Sequence, residues 1–420
     1  MPTADKVYEQ MLVRGETTIR VLLYLDDEQF ATGNYQLSRL KAALERRSMR
    51  VEVRSRVAGV TITGPLLADY DEVWFFLRSL AGPPLAAEES EALRVWMDAG
   101  NGVLVTGDHT ESFAGEWLGL GAPVGRAIPR AGKLRGWGKG PGTERVDSLD
   151  SVEIDGPAGP LDERQRDGAP QRLILPVLAD SRRHPIFHGR GARLLDRLPD
   201  HMHEGAVRIA AADWAGEPSP VVIARGVDHW RAQCFDLMVA WDGHVSPGGA
   251  KGRILADSSW HHYVDFNLAT IAEAGGEAWD KIQELYCNQA VWLAPPRIKL
   301  AQCGAALQEV AGFLLEEKVV DARALGGQAL RLLARQLPGA RFAELVPVLA
   351  GGASLPSEGG LPGLDVHLVS AYVRRYQRDM QGLEAVGDAG PTVFVEALGS
   401  YVAEIDRLRG RYAALVQAIG

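Results

Sequence analysis

The chain reads as an α/β protein: a parallel sheet with helices on both faces, followed by a C-terminal helical domain. Three observations carry this reading. Short apolar runs alternate with amphipathic stretches through the first hundred residues, which is the rhythm of βαβ units. All ten tryptophans lie at or before Trp292, and His367 is the one histidine beyond His262. Pro295-Pro296 then breaks whatever helix precedes it, and from Ile298 onward the chain reads as helices. The boundary gives an α/β domain over 1–293 and a helical domain over 297–420.

Taken in order, Ile19 to Tyr24 is an apolar run of the kind a buried parallel strand needs, and it stops at Asp26-Asp27. A helix is expected over Tyr35 to Arg47 with Asn34 as its N-cap. Residues 50–56 alternate as a second strand, and Asp71 to Phe76 forms a third. Glu88 to Met97 is a helix closed by Gly100, and Gly102 to Thr106 is a fourth strand ending at Gly107-Asp108-His109. A long excursion follows at about 112–185, rich in Gly, Pro, Arg and Asp. Loops of that length are uncommon and usually functional or mobile. Strands resume near Val207–Ala211, Pro220–Ala224 and Ala232–Val239. The last, Arg253 to Asp257, leads to a helix beginning near His261, and Trp279 to Trp292 is another helix. In the helical part the clearest segments are Val366 to Leu383 and Thr392 to Ile419, separated from earlier helices by a Gly/Pro-rich stretch at Gly351 to Gly363.

The composition excludes some classes. The 420 residues carry a formal net charge of -9, which argues against a broad nucleic-acid surface, because phosphate binding wants a basic field. Cys234, Cys287 and Cys303 are odd in number and form neither a metal knuckle nor a disulfide framework. The first residues are polar and lack a signal core, and no run of about 20 apolar residues would span a membrane. The expected location is the cytoplasm.

In a parallel α/β sheet, ligands bind beyond the carboxyl ends of the strands. Those positions are polar here: Asp26 and Asp27 after the first strand, Asp108 and His109 after the fourth, and Asp257, Trp260, His261 and His262 after the last. A further run, Asp200-His201-Met202-His203-Glu204, adds imidazoles and carboxylates. Such groups suit two jobs. They act as general acid/base pairs, for which His109 and His261 are the proton-transfer candidates, with Asp108 and Asp257 orienting them and His262 beside them. They also bind a divalent metal, for which His201, His203 and Glu204 are the candidates, the two histidines pointing the same way on an extended chain. Each alone has a plain structural alternative: a helix cap, a buried imidazole against Trp260, a solvated turn. In the excursion, Arg126, Arg130, Lys133 and Arg135 precede Trp137. Arg130 or Arg135 is the expected anchor for a phosphate or carboxylate, with Asp26 and Trp260 as further ligand contacts; a solvated basic loop is the alternative.

The strand order, the segment YDEVWFF, the helix ESEALRVWMDAG and the strand-turn GVLVTGDH resemble the class I glutamine amidotransferase-like superfamily. Within it the chain is most similar to trehalose-utilisation (ThuA-like) proteins and related bacterial chains, whose likeness extends to GRILADSSWHHYVDFNL and YCNQAVWLAPP. The resemblance covers residues 17 to about 296 and implies a flavodoxin-like, amidotransferase-like sheet. It also implies a cysteine at the turn after the central strand, whose thiolate would attack an amide. That turn reads Gly107-Asp108-His109, so glutaminase chemistry there is excluded, and Asp108 would stand at the exposed position of the turn. Two functions follow as expectations. One is hydrolytic or acid/base chemistry on a small polar or sugar-like ligand. The other is a binding or assembly module without catalysis, whose helical tail docks a partner protein or a second copy.

Overall fold

The structure, a computed structural model, describes residues 17–31, 35–47, 49–78, 83–110, 117–118, 123–136, 169–178, 182–190, 193–200, 206–228, 233–247, 251–314, 322–340 and 369–374. The chain divides into two compact units, Thr18–Pro296, and Arg297–Gly420 together with Met1–Thr17.

The first unit is built on a seven-stranded sheet. Its strands are β1 (Arg20–Leu25), β2 (Arg50–Ser55), β3 (Glu72–Phe76), β4 (Gly102–Thr106), β5 (Val221–Asp228), β6 (Gln233–Trp241) and β7 (Ile254–Asp257). Their order across the sheet is β5-β6-β7-β4-β3-β1-β2. β2, β1, β3, β4 and β7 run parallel, while β6 pairs antiparallel with both β7 and β5. The parallel part is the doubly wound order 2-1-3-4-5. The antiparallel edge departs from a wholly parallel sheet for a simple reason. Residues 229–232 are far too few for a crossover, so the chain returns as a hairpin.

The apolar runs of β1, β3, β4 and β7 are buried on both faces, which is why they lack the alternation of a half-exposed strand. On one face Leu22, Tyr24, Val73, Phe75, Val103, Val105 and Ala256 meet Leu67, Leu93, Trp96 and Met97 from the helices α2 (Gly64–Leu67) and α3 (Ala87–Asp98). The excursion adds Val124, Ile128, Ala131 and Leu134 to this core. The other face carries α1 (Ser38–Glu45), then, beyond the short α4 (Pro123–Ala127), α5 (Asp265–Ala274) and α6 (Gly276–Leu293), which pack on one another. The N-terminus of α1 is capped from far along the chain. Asp265 accepts from the Arg39 amide at 2.8 Å and from both the amide and hydroxyl of Ser38. Asn34, the expected cap, lies outside the described residues.

α6 carries charged and amide side chains on a buried face. Lys281, Glu284 and Asn288 recur at one-face spacing and are buried. Lys281 reaches Asp196 at 2.9 Å, Glu284 accepts from the Arg190 amide at 2.7 Å, and Asn288 donates to the carbonyls of Ile186 and His188. These bonds hold residues 186–190 and 196, just after the excursion, against the helix.

In the second unit, α7 (Pro296–Phe313) begins with proline in the first turn, where a missing N–H costs nothing. α8 (Ala322–Gln336) buries Leu325, Ala329 and Leu333, and residues 369–374 are helical. The amphipathic segment Thr392 to Ile419 and most of Val366 to Leu383 lie outside the described residues. Among the described residues no helix is long and apolar enough to cross a membrane.

Candidate functional site

The carboxyl ends of β1, β3, β4 and β7 are tied together by backbone and side-chain bonds. The Asp26 amide donates to Phe76 O, and Asp26 Oδ1 accepts from the Arg78 amide at 2.8 Å. Arg78 reaches back to Asp27 at 3.0 Å. β1 and β3 are neighbours whose chains depart in opposite directions, so this is the switch point where doubly wound sheets open a crevice. On the other side the Gly107 amide donates to Asp257 O, and Gly107 O accepts from the Trp260 amide at 2.8 Å. Held on both sides, the chain after β4 continues extended, and Asp108–Thr110 pairs with Trp117–Leu118. There is no strand-to-helix elbow at Asp108. The backbones of Asp108 and His109 are placed at the carboxyl end of β4; their side chains lie outside the description.

β7 ends in Asp257, which is fully buried and turns the chain. Its Oδ1 accepts from the Ser259 amide at 3.0 Å and from His262 Nδ1 at 2.7 Å, and its Oδ2 accepts from the Tyr263 hydroxyl at 2.9 Å. The Ser259 hydroxyl accepts from the His261 amide and opens a single 3₁₀ turn over Trp260–His262. That turn sends successive imidazoles in different directions. His262 goes inward. Its Nε2 faces the Gln171 side-chain amide nitrogen at 3.4 Å. Gln289 donates to the Tyr263 hydroxyl at 3.0 Å, and the Tyr286 hydroxyl donates to His262 O. Burial pushes both tyrosines well above the usual phenol range, and the Asp257 carboxylate adds to it, so they serve as neutral donors. Asp257, His262 and the two tyrosines form a dry clasp joining β7, α6 and the strand Pro170–Arg172.

His261 goes the other way. Its Nδ1 lies 2.9 Å from Asn267 Oδ1, an acceptor, so Nδ1 donates there. Its ring stacks on Trp260 at 3.6 Å between centroids. Trp260 packs edge-on against Phe30 and Tyr35, and Tyr35 stands between His261 and the Arg78 guanidinium, 6.2 and 5.9 Å from them. The sequence reading paired Asp257 with His261; the structure pairs Asp257 with His262 and gives His261 to Asn267.

Asp26, Asp257, Trp260, His261 and His262 thus gather at one end of the sheet. Arg130 does not join them. It lies over Trp241 and binds Asp98 at the end of α3, which places it at the amino edge of β4 and β7. Arg135 is placed by its backbone alone, paired with Arg208. His201, His203 and Glu204 lie outside the described residues, and among the described residues no three metal-ligating side chains converge. Cys287, buried on α6, has its thiol pushed up to about 11 by burial, which leaves it an unreactive packing group. Arg78, Tyr35 and Asn267 were missed from the sequence. Arg78 alone carried a signal, as a polar residue just beyond a buried strand.

The fold and this edge define the class: a doubly wound α/β protein with a polar, aromatic-lined site at the carboxyl ends of its strands. No protein-family model matches the chain, and no curated protein matches it. Among solved structures, a protein described as ThuA-like from Bacteroides uniformis is similar at 8% identity and a TM-score of 0.34, over 65% of this chain and 91% of that one. A second so described, from Parabacteroides merdae, is similar at 14% identity and a TM-score of 0.34, over 66% of this chain and 90% of that one.

Proposed function

We propose that the carboxyl edge between β1, β3 and β7 binds a small polar, hydroxyl-bearing ligand, and that His261 serves there as general base in hydrolytic or acid/base chemistry. The observation that carries this is the Asn267 Oδ1 contact to His261 Nδ1, since it puts a basic lone pair on Nε2 beside the switch point. Tyr35, backed by the buried Trp260, offers apolar ring surface for the ligand's carbon skeleton, and Arg78 with Asp26 and Asp27 supplies donors and acceptors around it. His262 and Asp257 hold the wall in shape and touch no substrate.

A second reading is binding without turnover. It is favoured by the burial of His261, which is only 4% exposed. One experiment tests both. Thermal stabilisation of the full chain is measured against a panel of sugars and polyols, together with hydrolysis of chromogenic glycosides and esters. The enzyme reading expects turnover that falls by about a hundredfold or more in His261→Ala. Turnover unchanged in that variant sinks it, and ligand stabilisation with no turnover in the wild type establishes the second reading.

A further inference from the structure

The two edges of the large sheet differ. At β5, Ile174 exchanges both backbone hydrogen bonds with Arg225, each at 2.9 Å, and so covers part of the edge. At the other end of the sheet β2 is the last strand, and among the described residues no backbone pairs with its outer side. Glu52, Val53 and Arg54, at its middle, are exposed, and Val53 is an apolar side chain with 42% of its surface in water. An open edge presents a row of backbone donors and acceptors, a template for pairing with another chain.

The ladder to β1 fixes which residues face outward. The Arg50 amide donates to Ile19 O and the Arg56 amide to Leu25 O, both at 2.9 Å. Alternate residues of a parallel pair bond the same neighbour, so positions 50, 52, 54 and 56 turn their backbone groups to β1. Val51, Val53 and Ser55 turn theirs away. The Val60 amide, 3.3 Å from Ser55 O, takes the last of these carbonyls where the strand ends.

The side chains then select a partner and a register. Glu52 and Arg54 project from one face of β2, 2.9 Å apart, and the Tyr70 hydroxyl donates to Glu52 at 2.6 Å. Consider a second copy of β2 laid antiparallel alongside. With a two-fold axis at Glu52, carboxylate meets carboxylate and Arg50 meets Arg54, both repulsive. An axis at Val51 would pair only Arg50–Glu52 within the strand. With the axis at Val53, each Glu52 lies opposite the other copy's Arg54, outward backbone meets outward backbone, and the two exposed valines cover one another. Four charges then alternate in sign around a closed ring. Charges often blunt an edge, but in this spacing they complement themselves.

We propose that β2 pairs antiparallel with β2 of a second copy of this chain, about a two-fold axis through Val53, joining two seven-stranded sheets into one. The contact is isologous, so one strand supplies both halves. A ladder over 51–55 is a small interface, and the dimer is correspondingly weak, with a Kd on the order of 10–100 μM.

The test is sedimentation velocity of the full chain over about 1–300 μM, a range that brackets this affinity. A concentration-dependent dimer is expected, and a monomer throughout overturns the proposal. Val53→Pro removes an outward N–H and leaves the β1 ladder intact, as proline at an open edge does. It is expected to keep the wild-type melting temperature and weaken the dimer by about tenfold or more. A charge exchange gives an independent reading. Glu52→Arg and Arg54→Glu each put like charges opposite one another, so each protein alone is expected to dimerise about tenfold more weakly. Mixed in equal amounts they restore unlike charges at both pairs, and the dimer should return. Wild-type dimerisation in Val53→Pro or in either charge variant alone, or a mixture that stays monomeric, overturns the proposal.

Discussion

The Asp257 carboxylate accepts a hydrogen bond from His262 Nδ1 at 2.7 Å in a place that neither side chain shares with solvent. The same carboxylate satisfies the Tyr263 hydroxyl and the Ser259 amide. Removing it strands three buried donors, each costing about 1–3 kcal/mol. Asp257→Ala is therefore expected to lose roughly 3 kcal/mol or more of stability. Denaturant unfolding followed by tryptophan fluorescence checks this and reports the first unit alone, since every tryptophan lies at or before Trp292. A midpoint within error of wild type contradicts the clasp.

Glu89 sets part of the acid sensitivity. It accepts from Arg56 at 2.8 Å and from the amides of Ile62 and Ala86. Burial works to raise its carboxyl, but these bonds win and hold it below the ordinary carboxylate value. A carboxyl lowered in the folded state contributes stability that is complete above its unfolded pKa and is lost as pH falls through the folded value. The window thus lies at and below a pH of about 4. Glu89→Gln should lower neutral-pH stability by about 1.5–3 kcal/mol and flatten the acid limb of the stability curve. An unchanged slope in that limb argues against the assignment.

How much of this was legible in the sequence depends on whether the cause was local. β1, β3, β4 and β7 are apolar runs because both their faces are covered, and that signature survives in one dimension. The antiparallel β5–β6 hairpin was not read: the expected strands at Pro220–Ala224 and Ala232–Val239 left seven residues between them, and periodicity alone carries no direction. At the site, the histidine–carboxylate clustering was visible. Which imidazole meets Asp257 was not, because one 3₁₀ turn decides it. Asn267, Gln171 and Tyr35 become site residues only through contacts across the fold. Arg130 showed its charge but not its edge, since an excursion from a sheet can pass either end.

Gly252 is required by close approach rather than by φ. A Cβ there would lie 1.8 Å from Asn101 O and 3.1 Å from Met97 O, while the Gly252 amide donates to that same Met97 carbonyl. The obstacles are backbone, so the strand entering β7 would have to move away from the end of α3. Gly252→Ala is expected to cost about 1–3 kcal/mol or more. Gly216→Ala provides the contrast: its Cβ meets nothing within 4 Å, and its cost comes from its φ of +82° alone. That is worth about 1–2 kcal/mol. Thermal melts of the two variants compare them directly, and a Gly252→Ala protein as stable as wild type would show that the approach is looser than described.

Asn267 and His261 give a prediction that needs no substrate. The amide oxygen accepts a hydrogen bond from Nδ1–H and so selects that tautomer. Asn267→Ala removes the acceptor and should allow the proton to redistribute between the two nitrogens, while Asn267→Asp keeps an acceptor and should preserve the Nδ1–H form. Nitrogen NMR of the histidine ring distinguishes the tautomers. If the wild-type ring shows its proton on Nε2, or if Asn267→Ala leaves the tautomer unchanged, then Asn267 does not orient His261, and the lone pair on which the proposed acid/base role rests is not presented at the switch point.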